Sequence, residues 1–383
     1  MSVTAAQGFR AAGIAAGIAQ PGVLDIALVV NDGPEFCAAG VFTANRVKAA
    51  PVLWSQQVLQ AGSLKAVVLN SGGANACTGP AGFADTHATA EHVALALSIG
   101  ASEVAVCSTG LIGERLPLGR VTAGVERAAA SLADSGDEDA ARAIMTTDTV
   151  PKTAVIQGDG WTIGAMAKGA GMLAPELATL LCVITTDVVL PADFADHALR
   201  TATAATLDRI DSDGCMSTND TVLLLCSGAS GITPSPQDFT AHLDDLCHDL
   251  SLQLLADAEG ATKLVEITVT AAATVIDALE VGRAVARSAL LKCALYGQDP
   301  NWGRVLSAVG TTSAAFEPDE IDVAINGVDV CVGGAAGQPR SSVDLAGSDV
   351  SIEIHLHAGT EQATVWTTDL TEAYVHENSA YSS

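Results

Sequence analysis

The sequence holds 383 residues, of which 49% are hydrophobic and only 16% are charged. A chain this long and this apolar can bury a sizeable core, so its composition excludes intrinsic disorder. The formal net charge of −26 makes nucleic acid and anionic membranes poor partners, because both carry charge of the same sign. No run of 18 apolar residues predicts a membrane span, and nine cysteines without a CxxC pair indicate a reduced, cytoplasmic protein.

The predicted elements alternate between strands and helices, which indicates a layered α/β or α+β architecture. Lys65–Asn70 and Glu103–Ser108 have the pattern of buried strands, and the helical spacing of 84–97 between them predicts a βαβ unit. Turn residues between short strand patterns predict three hairpins, at 153–164, 322–332 and 351–368. Helices are predicted at 121–133, 193–207, 237–258 and 276–292, the third of them capped by Ser235.

The segment Lys168–Leu181, KGAGMLAPELATLL, is the densest unusual stretch of the chain. Its glycines and Pro175 interrupt regular structure, and Ala178-Thr179 then opens a buried strand pattern. A small residue followed by Thr at the head of a strand is the layout of an N-terminal nucleophile. Cleavage before the Thr frees an α-amine, whose ordinary pKa of about 7.7–8.0 suits a general base. The alternative is a glycine-rich turn that leads into a core strand.

Two polar loops follow predicted strands. In Ser108–Glu114, STGLIGE, the Thr109-Gly110 pair can offer a hydroxyl and a backbone N–H to an oxyanion, although a capped turn is the alternative. Asn70–Gly79, NSGGANACTG, can cradle a phosphate or a carboxylate, but it matches neither the Walker A nor the GxGxxG pattern.

These segments, together with five others, resemble the ornithine acetyltransferase family. The others are MTTDTVPK (145–152), STNDT (217–221), AEGATK (258–263), GQDPNWGR (297–304) and the terminal ENSAYSS. The family comprises glutamate N-acetyltransferases of arginine biosynthesis, which are often bifunctional, and the matches run from Gly8 to Ser383. The resemblance implies an αββα-type sandwich related to DmpA-like amidohydrolases. It also implies self-cleavage into an α chain, 1–178, and a β chain, 179–383, in an α2β2 assembly.

The resemblance also implies the roles of individual residues. Cleavage falls between Ala178 and Thr179, Thr179 is the nucleophile, and Thr109 and Gly110 form the oxyanion hole. The implied substrate contacts are Thr146, Lys168, Thr179, Glu259, Asn378 and Ser383. The implied reaction is ping-pong transfer of an acetyl group from N2-acetylornithine to glutamate. No cofactor or metal is expected, because the donor is itself an amide, and the use of acetyl-CoA as a second donor stays open.

Several alternatives remain at this point. Taken alone, Lys168 is equally a solvent-facing lysine before a turn, and Glu259 is a carboxylate near a helix end. An amidase or aminopeptidase would use the same nucleophile with water as the acceptor, and a binding protein could keep the fold without cleavage. His355 and His357 fall on one strand face, but we expect no metal site there.

Overall fold

A computed structural model describes residues 2–174 and 180–380. The described chain divides into two compact units. The first unit comprises 2–208 and 215–257, and the second comprises 209–214 and 258–380. The predicted cleavage between Ala178 and Thr179 falls within the chain of the first unit and outside the described residues. The boundary between the predicted α and β chains is therefore a different division from that between the compact units.

The first unit is built from strands and helices in mixed order. Its strands are β1 (Phe9–Ile14), β2 (Ile26–Asn31), β3 (Cys37–Phe42), β4 (Ala66–Asn70), β5 (Val104–Ser108), β6 (Lys152–Gln157), β7 (Thr162–Lys168), β8 (Leu181–Thr186) and β9 (Thr221–Cys226). Its helices are α1 (Ala50–Val58), α2 (Gly79–Leu97), α3 (Leu118–Ala130), α4 (Asp137–Ala143), α5 (Ala192–Ala205) and α6 (Pro236–Ala256).

The strands of the first unit form two sheets, with the orders β1-β2-β4-β5 and β3-β9-β8-β7-β6. Side chains of both sheets, among them Val67 and Val106 of one and Met166 and Val183 of the other, share one buried core. Helices α2 and α3 pack against the first sheet, and α5 and α6 against the second. The unit is thus a helix–sheet–sheet–helix sandwich, as predicted.

The predicted βαβ unit is confirmed. Strands β4 and β5 are parallel, with Asn70 opposite Ser108, and α2 connects them. The helix begins at Gly79, earlier than the pattern indicated, and has Pro80 in its first turn. Because parallel strands end at the same edge of a sheet, the polar loops after β4 and β5 lie side by side.

Among its described residues, the second unit contains one sheet and four α-helices. Its strands are β10 (Leu264–Ala272), β11 (Asp322–Ile325), β12 (Val328–Val332), β13 (Ala335–Ala336), β14 (Asp349–His355) and β15 (Glu361–Thr368). Its helices are α7 (Val275–Ala286), α8 (Ala289–Tyr296), α9 (Trp302–Val309) and α10 (Glu372–Ala380). The sheet order is β13-β12-β11-β14-β10-β15, and α7 packs against β10 and β15 over an aliphatic core.

Two of the three predicted hairpins are confirmed. β6 pairs with β7, and β11 pairs with β12 through Asn326 and Gly327, both of which have positive φ as a type I′ turn requires. The third prediction is wrong, because β10 lies between β14 and β15 and pairs with both of them. The turn residues located the two strands, but the strand between them comes from far earlier in the chain.

The predicted helix at 276–292 is also wrong in its length, because two helices occupy this segment. Ser288 separates α7 from α8, and its Oγ accepts a hydrogen bond from the Leu291 N–H at 3.3 Å. The predicted cap at Ser235 is confirmed, since its Oγ accepts from the Asp238 N–H at 3.1 Å. Among the helices of the two described ranges, none is both long and apolar enough to cross a bilayer.

Candidate active site

Lys168 is the last residue of β7 and the centre of the site. Its side chain is only 1% exposed, so the alternative of a solvent-facing lysine is wrong. The Nζ donates to Thr146 Oγ1 at 2.7 Å and lies 3.4 Å from Thr109 Oγ1. Three residues that the sequence nominated separately therefore meet around one buried ammonium group.

Asp148 supplies the negative charge that this buried ammonium needs. Its Oδ2 lies 3.8 Å from the Lys168 Nζ and accepts from the Thr146 N–H at 3.0 Å. Its Oδ1 accepts from the Gly169 N–H at 2.7 Å and from the Lys152 Nζ at 2.6 Å. Burial alone would raise the pKa of Asp148, but the two ammonium groups and these hydrogen bonds lower it to about 2. The carboxylate is therefore ionised at neutral pH.

The second lysine of this cluster, Lys152, is fully buried and also contacts the carboxylate of Asp257. Two ammonium groups thus share two carboxylates inside the first unit, which compensates the charge that burial would otherwise penalise. Asp148, Lys152 and Asp257 were not nominated from the sequence. Asp148 and Lys152 lie within the quoted motif MTTDTVPK, but the motif does not reveal that their side chains are buried.

Thr109 and Gly110 follow β5 and are held by the neighbouring loop. The Thr109 N–H donates to the Asn70 carbonyl, and the Gly73 N–H donates to the Thr109 carbonyl, both at 2.9 Å. Gly110 has φ +124°, and a Cβ at this position would lie 2.6 Å from the Gly73 nitrogen. Only glycine fits this close approach of two backbone segments.

The Asn70–Gly79 loop uses its polar groups to hold the chain rather than to form an open phosphate cradle. Its Gly73 and Ala74 N–H groups donate to carbonyls of the segment after β5, and the Asn70 Nδ2 donates to the Gly73 carbonyl at 3.0 Å. The Ser108 Oγ donates to the Asn70 Oδ1 at 2.6 Å. Within the described residues, no hydrogen bond uses the Gly110 N–H, which leaves that donor available.

Strand β8 starts two residues after the predicted nucleophile and runs beside β7. Leu181 pairs with Lys168 on one side and with Thr221 on the other. The Leu180 N–H donates to the Asp220 Oδ1 at 3.1 Å, and the Thr221 N–H donates to the Leu180 carbonyl at 2.8 Å. The chain immediately after position 179 is therefore fixed next to Lys168.

Asn219 and Asp220 tie this strand to the polar loops. The Asn219 Nδ2 donates to the Ala74 carbonyl at 2.6 Å and to the Ser108 carbonyl at 2.8 Å. Asp220 is fully buried, and burial raises the pKa of its carboxyl group well above the ordinary value. Both residues lie in the STNDT motif, but neither was nominated as a site residue from the sequence.

The remaining nominated residues belong to the second unit or lie outside the described part of the chain. In the second unit, the Asn378 Nδ2 of α10 donates to the Glu259 Oε2 at 3.0 Å, so these two residues are brought together. Ala178, Thr179 and Ser383 are not among the described residues. Their assignments, and the roles of the other nominated residues in catalysis and binding, stay predictions.

Comparison with known proteins shows the family of this chain. Residues 10–383 match the family model described as the ArgJ family. The chain belongs to the ArgJ family. The arginine biosynthesis bifunctional protein ArgJ of Streptomyces avermitilis is 65% identical over 383 residues, which cover 100% of both chains. The resemblance to the ornithine acetyltransferases of arginine biosynthesis is thereby confirmed across nearly the whole sequence.

Solved structures include members of the ArgJ family. The crystal structure of ArgJ from Bacillus halodurans is 34% identical and has a TM-score of 0.50, and the match covers 52% of this chain and 98% of that chain. The structure of a Mycobacterium tuberculosis ornithine acetyltransferase complexed with ornithine is 65% identical with a TM-score of 0.45. That match covers 45% of this chain and 94% of the other.

Proposed function

We propose that this ArgJ family member transfers the acetyl group of N2-acetylornithine to glutamate in arginine biosynthesis, after cleavage of the Ala178–Thr179 bond. The observation that carries the proposal is the cluster of Thr109, Thr146 and Lys168 beside the start of β8. A hydroxyl, a glycine N–H and a buried cation gather where the new β chain would begin, as acyl transfer by an N-terminal threonine requires.

The reaction starts from the α-amine of Thr179, which takes the proton of its own Oγ directly or through one water. The Oγ then attacks the acetyl carbonyl of N2-acetylornithine, and the Thr109 hydroxyl and the Gly110 N–H stabilise the resulting oxyanion. Collapse of this intermediate breaks the C–N bond, and the ornithine amine leaves with the proton. The amine of glutamate attacks the acetyl ester on Thr179, which yields N-acetylglutamate and restores the free threonine.

Lys168 supplies the fixed positive charge for a substrate carboxylate in this scheme. The ionised carboxylate of Asp148 stabilises the ammonium group of Lys168, and the contact with Thr146 fixes its direction. Glu259 is assigned to the substrate ammonium group, and Asn378 and Ser383 to further substrate contacts, by the family resemblance. No step needs a cofactor, because the acetyl donor is an amide.

Cleavage is supported by the relation to the Bacillus halodurans structure. Nearly all of that crystallised chain, 98%, corresponds to only 52% of the present chain. This is the relation expected when a family member is present as separate chains of about half the precursor length. We further propose that the two chains assemble as α2β2 in the cytoplasm.

Product analysis separates this proposal from hydrolysis. Purified protein given N2-acetylornithine and glutamate should release ornithine and N-acetylglutamate in equal amounts. Without glutamate, ornithine should appear only up to one equivalent per site. Continuous release of free acetate without an acceptor would instead identify an amidase. A parallel assay with acetyl-CoA and glutamate decides whether the protein is bifunctional in its choice of donor.

Cleavage is tested on the same preparations. Thr179→Ala should remain a single 38.6 kDa chain without activity, because it lacks the hydroxyl that an N→O acyl shift needs. Thr201→Ala, which alters an exposed threonine of α5, is the matched control and should mature and react normally. N-terminal sequencing of the smaller products that begins anywhere other than TLLCV would refute the assigned cleavage site.

A further inference from the structure

Three potential metal ligands meet in the second unit, in a place that acetyl transfer does not use. Asp322, His355 and His357 each offer one ligand atom, and these atoms all lie within 4.8 Å of one another. The carboxylate opens β11, and the histidines stand at and just beyond the end of β14. The His-x-His pair is evident in the sequence, but its partner carboxylate lies more than thirty residues earlier.

The backbone brings the three side chains to one side of the sheet edge. In the antiparallel pairing of β11 and β14, Asp322 is directly opposite His355. His357 follows His355 by two residues, which is the spacing that returns a side chain to the same face. At His357 the chain turns with φ +51°, and the two imidazole rings lie with their centroids 3.8 Å apart. Cross-strand pairing and this turn together create the cluster.

The carboxylate is already held in a fixed orientation. The Asp322 Oδ1 accepts a hydrogen bond from the Gly333 N–H at 2.8 Å, and its Oδ2 lies 2.7 Å from the His357 Nε2. Metal-binding groups are commonly oriented in this way by a second hydrogen bond. Two of the three groups therefore need little rearrangement to share an ion.

The third group, the imidazole of His355, has a ring nitrogen without a hydrogen-bond partner among the described residues. This nitrogen, Nδ1, is buried. A buried polar nitrogen without a partner destabilises a fold unless something else satisfies it. Coordination of a metal ion by His355 is one way to satisfy this imidazole, and one of its ring nitrogens lies within 4.8 Å of the ligand atoms of Asp322 and His357.

We propose that Asp322, His355 and His357 bind a divalent transition metal ion of the Zn²⁺ class. Two imidazoles and one carboxylate suit such ions and disfavour Ca²⁺ and Mg²⁺, which prefer oxygen ligands alone. With ligand bonds of about 2.1 Å, tetrahedral coordination needs ligand atoms about 3.4 Å apart, which small side-chain rotations provide here. Water fills the fourth position. The ion replaces the proton that His357 and Asp322 share, and the net charge of −26 favours its approach.

Such an ion would fasten the end of β14 to the start of β11. Because it binds the folded state and not the dispersed ligands of the unfolded chain, it should raise the melting temperature of the protein. None of the three residues belongs to the acetyl-transfer machinery, so the metal-free protein should keep its acetyltransferase activity. The site is thus independent of the proposed function.

Calorimetric titration with ZnCl₂ tests the proposal. The full chain is purified without a histidine tag and treated with a chelator first. One Zn²⁺ per chain should bind saturably, and Zn²⁺ should raise the melting temperature. Substitution of a single ligand should weaken binding by at least tenfold in each of His355→Ala and Asp322→Asn. His357→Asn, whose new residue tolerates positive φ, provides a third variant with little risk to folding.

Two controls separate this site from adventitious binding. His197→Ala removes an exposed histidine of the first unit and should leave the Zn²⁺ affinity unchanged. Co²⁺ in place of Zn²⁺ should give d–d absorption without a thiolate charge-transfer band. Such a band would instead indicate binding to exposed cysteines, such as Cys77, Cys215 and Cys293. The proposal is overturned if the wild type shows no saturable Zn²⁺ binding, or if the His355 and Asp322 variants bind Zn²⁺ as tightly as the wild type. Either result would show only an ordinary histidine–carboxylate contact.

Discussion

Two buried lysines, one from each unit, differ in the groups that surround the ammonium. Lys168 of the first unit lies beside the ionised carboxylate of Asp148, whose pKa is lowered to about 2. Lys292 of the second unit donates to neutral oxygens, namely the Ser212 carbonyl, Thr367 Oγ1 at 3.1 Å and Thr368 Oγ1 at 3.4 Å. Burial lowers the pKa of Lys292 to about 8, although nearby aspartates oppose the shift.

This difference indicates which lysine is better suited to bind the carboxylate of a substrate. The ionised carboxylate of Asp148 stabilises the neighbouring ammonium group of Lys168, which suits this residue to attract a substrate anion. Lys292 loses its proton more readily than an ordinary lysine, because burial outweighs the nearby aspartates, and its Nζ donates to the carbonyl and hydroxyl groups around it. The proposed roles are therefore substrate binding for Lys168 and stability of the second unit for Lys292.

The largest expected effect follows from removing the charge of Asp148. Asp148→Asn removes the carboxylate that lies beside both Lys152 and Lys168, which should lower the free energy of unfolding by about 3–5 kcal/mol. Urea denaturation at pH 7 measures the loss. Asp32→Asn is the matched control, because its pair with Arg10 is partly exposed and should be worth at most about 1 kcal/mol. Equal losses in both variants would contradict the charge-sharing account of the cluster.

Removing Lys168 itself should affect substrate binding. Lys168→Met should raise KM for N2-acetylornithine more than it lowers kcat, by an amount that corresponds to about 1.5–3 kcal/mol for a lost charged hydrogen bond. Lys292→Met, the equivalent change in the second unit, should alter the melting temperature and leave KM nearly unchanged. Steady-state kinetics of the two variants decide the matter. A KM that rises in Lys292→Met but not in Lys168→Met would reverse the assignment.

The two lysine sites should also differ in how pH changes stability. The folded pKa of Asp148, about 2, lies below the ordinary 3.8, so its contribution is present above pH 3.8 and is lost as the pH falls towards 2. The stability difference between the wild type and Asp148→Asn should therefore shrink by about 2 kcal/mol across that window. Urea titrations between pH 2 and pH 5 measure it, and a difference that stayed constant would contradict the lowered pKa.

Lys292 predicts a rise of stability with pH as well, but in an alkaline window, because burial favours its uncharged amine. Its folded pKa of about 8 lies below the ordinary 10.5, so the unfolded chain binds the proton more tightly. The wild type should therefore gain stability relative to Lys292→Met as the pH rises from about 8 to about 10.5. Parallel denaturation curves over this range measure the trend, and a loss of relative stability would exclude the proposed cause.

The smallest expected effect concerns the backbone beside Lys168. Gly110→Ala forces a Cβ into an unfavourable φ and against Gly73, which should cost about 1–2 kcal/mol of stability and slow acetyl transfer. Gly119→Ala is the matched control, because Gly119 lies in α3 and a Cβ there meets nothing within 4 Å. That variant should be stabilised by up to about 1 kcal/mol. Thermal melts and initial rates compare them, and the account fails if Gly110→Ala is as stable and active as the control.

Sequence patterns predicted the local parts of the fold well. β6 and β7 are joined by four residues and were correctly paired, because a turn signal and its two strands lie in one short window. β14 and β15 look just as close in sequence, yet β10 separates them. Neither strand carries a local signal for a partner more than eighty residues away, so the pairing had to come from the structure.

Prediction of the site also failed where the relevant contacts are distant in sequence. The family resemblance nominated Thr109, Thr146 and Lys168, which do meet. Of these, only Thr109 was also singled out by its position after a predicted strand. Asp148 and Asp220 were passed over, although both lie in quoted motifs, because their importance depends on burial and on hydrogen bonds from distant backbone. From the sequence, His355 and His357 were noted on one strand face but not expected to bind a metal, because strand pairing is what brings Asp322 opposite His355.

The most direct test of the central claim is the intact mass of the purified protein after incubation with N2-acetylornithine alone. The account predicts that the chain beginning at Thr179 gains one acetyl group and that addition of glutamate removes it. Thr109→Ala should form this adduct more slowly, because one of two oxyanion donors is gone. A β chain that never gains the acetyl mass while the protein transfers acetyl at full rate would contradict an acyl-enzyme on Thr179.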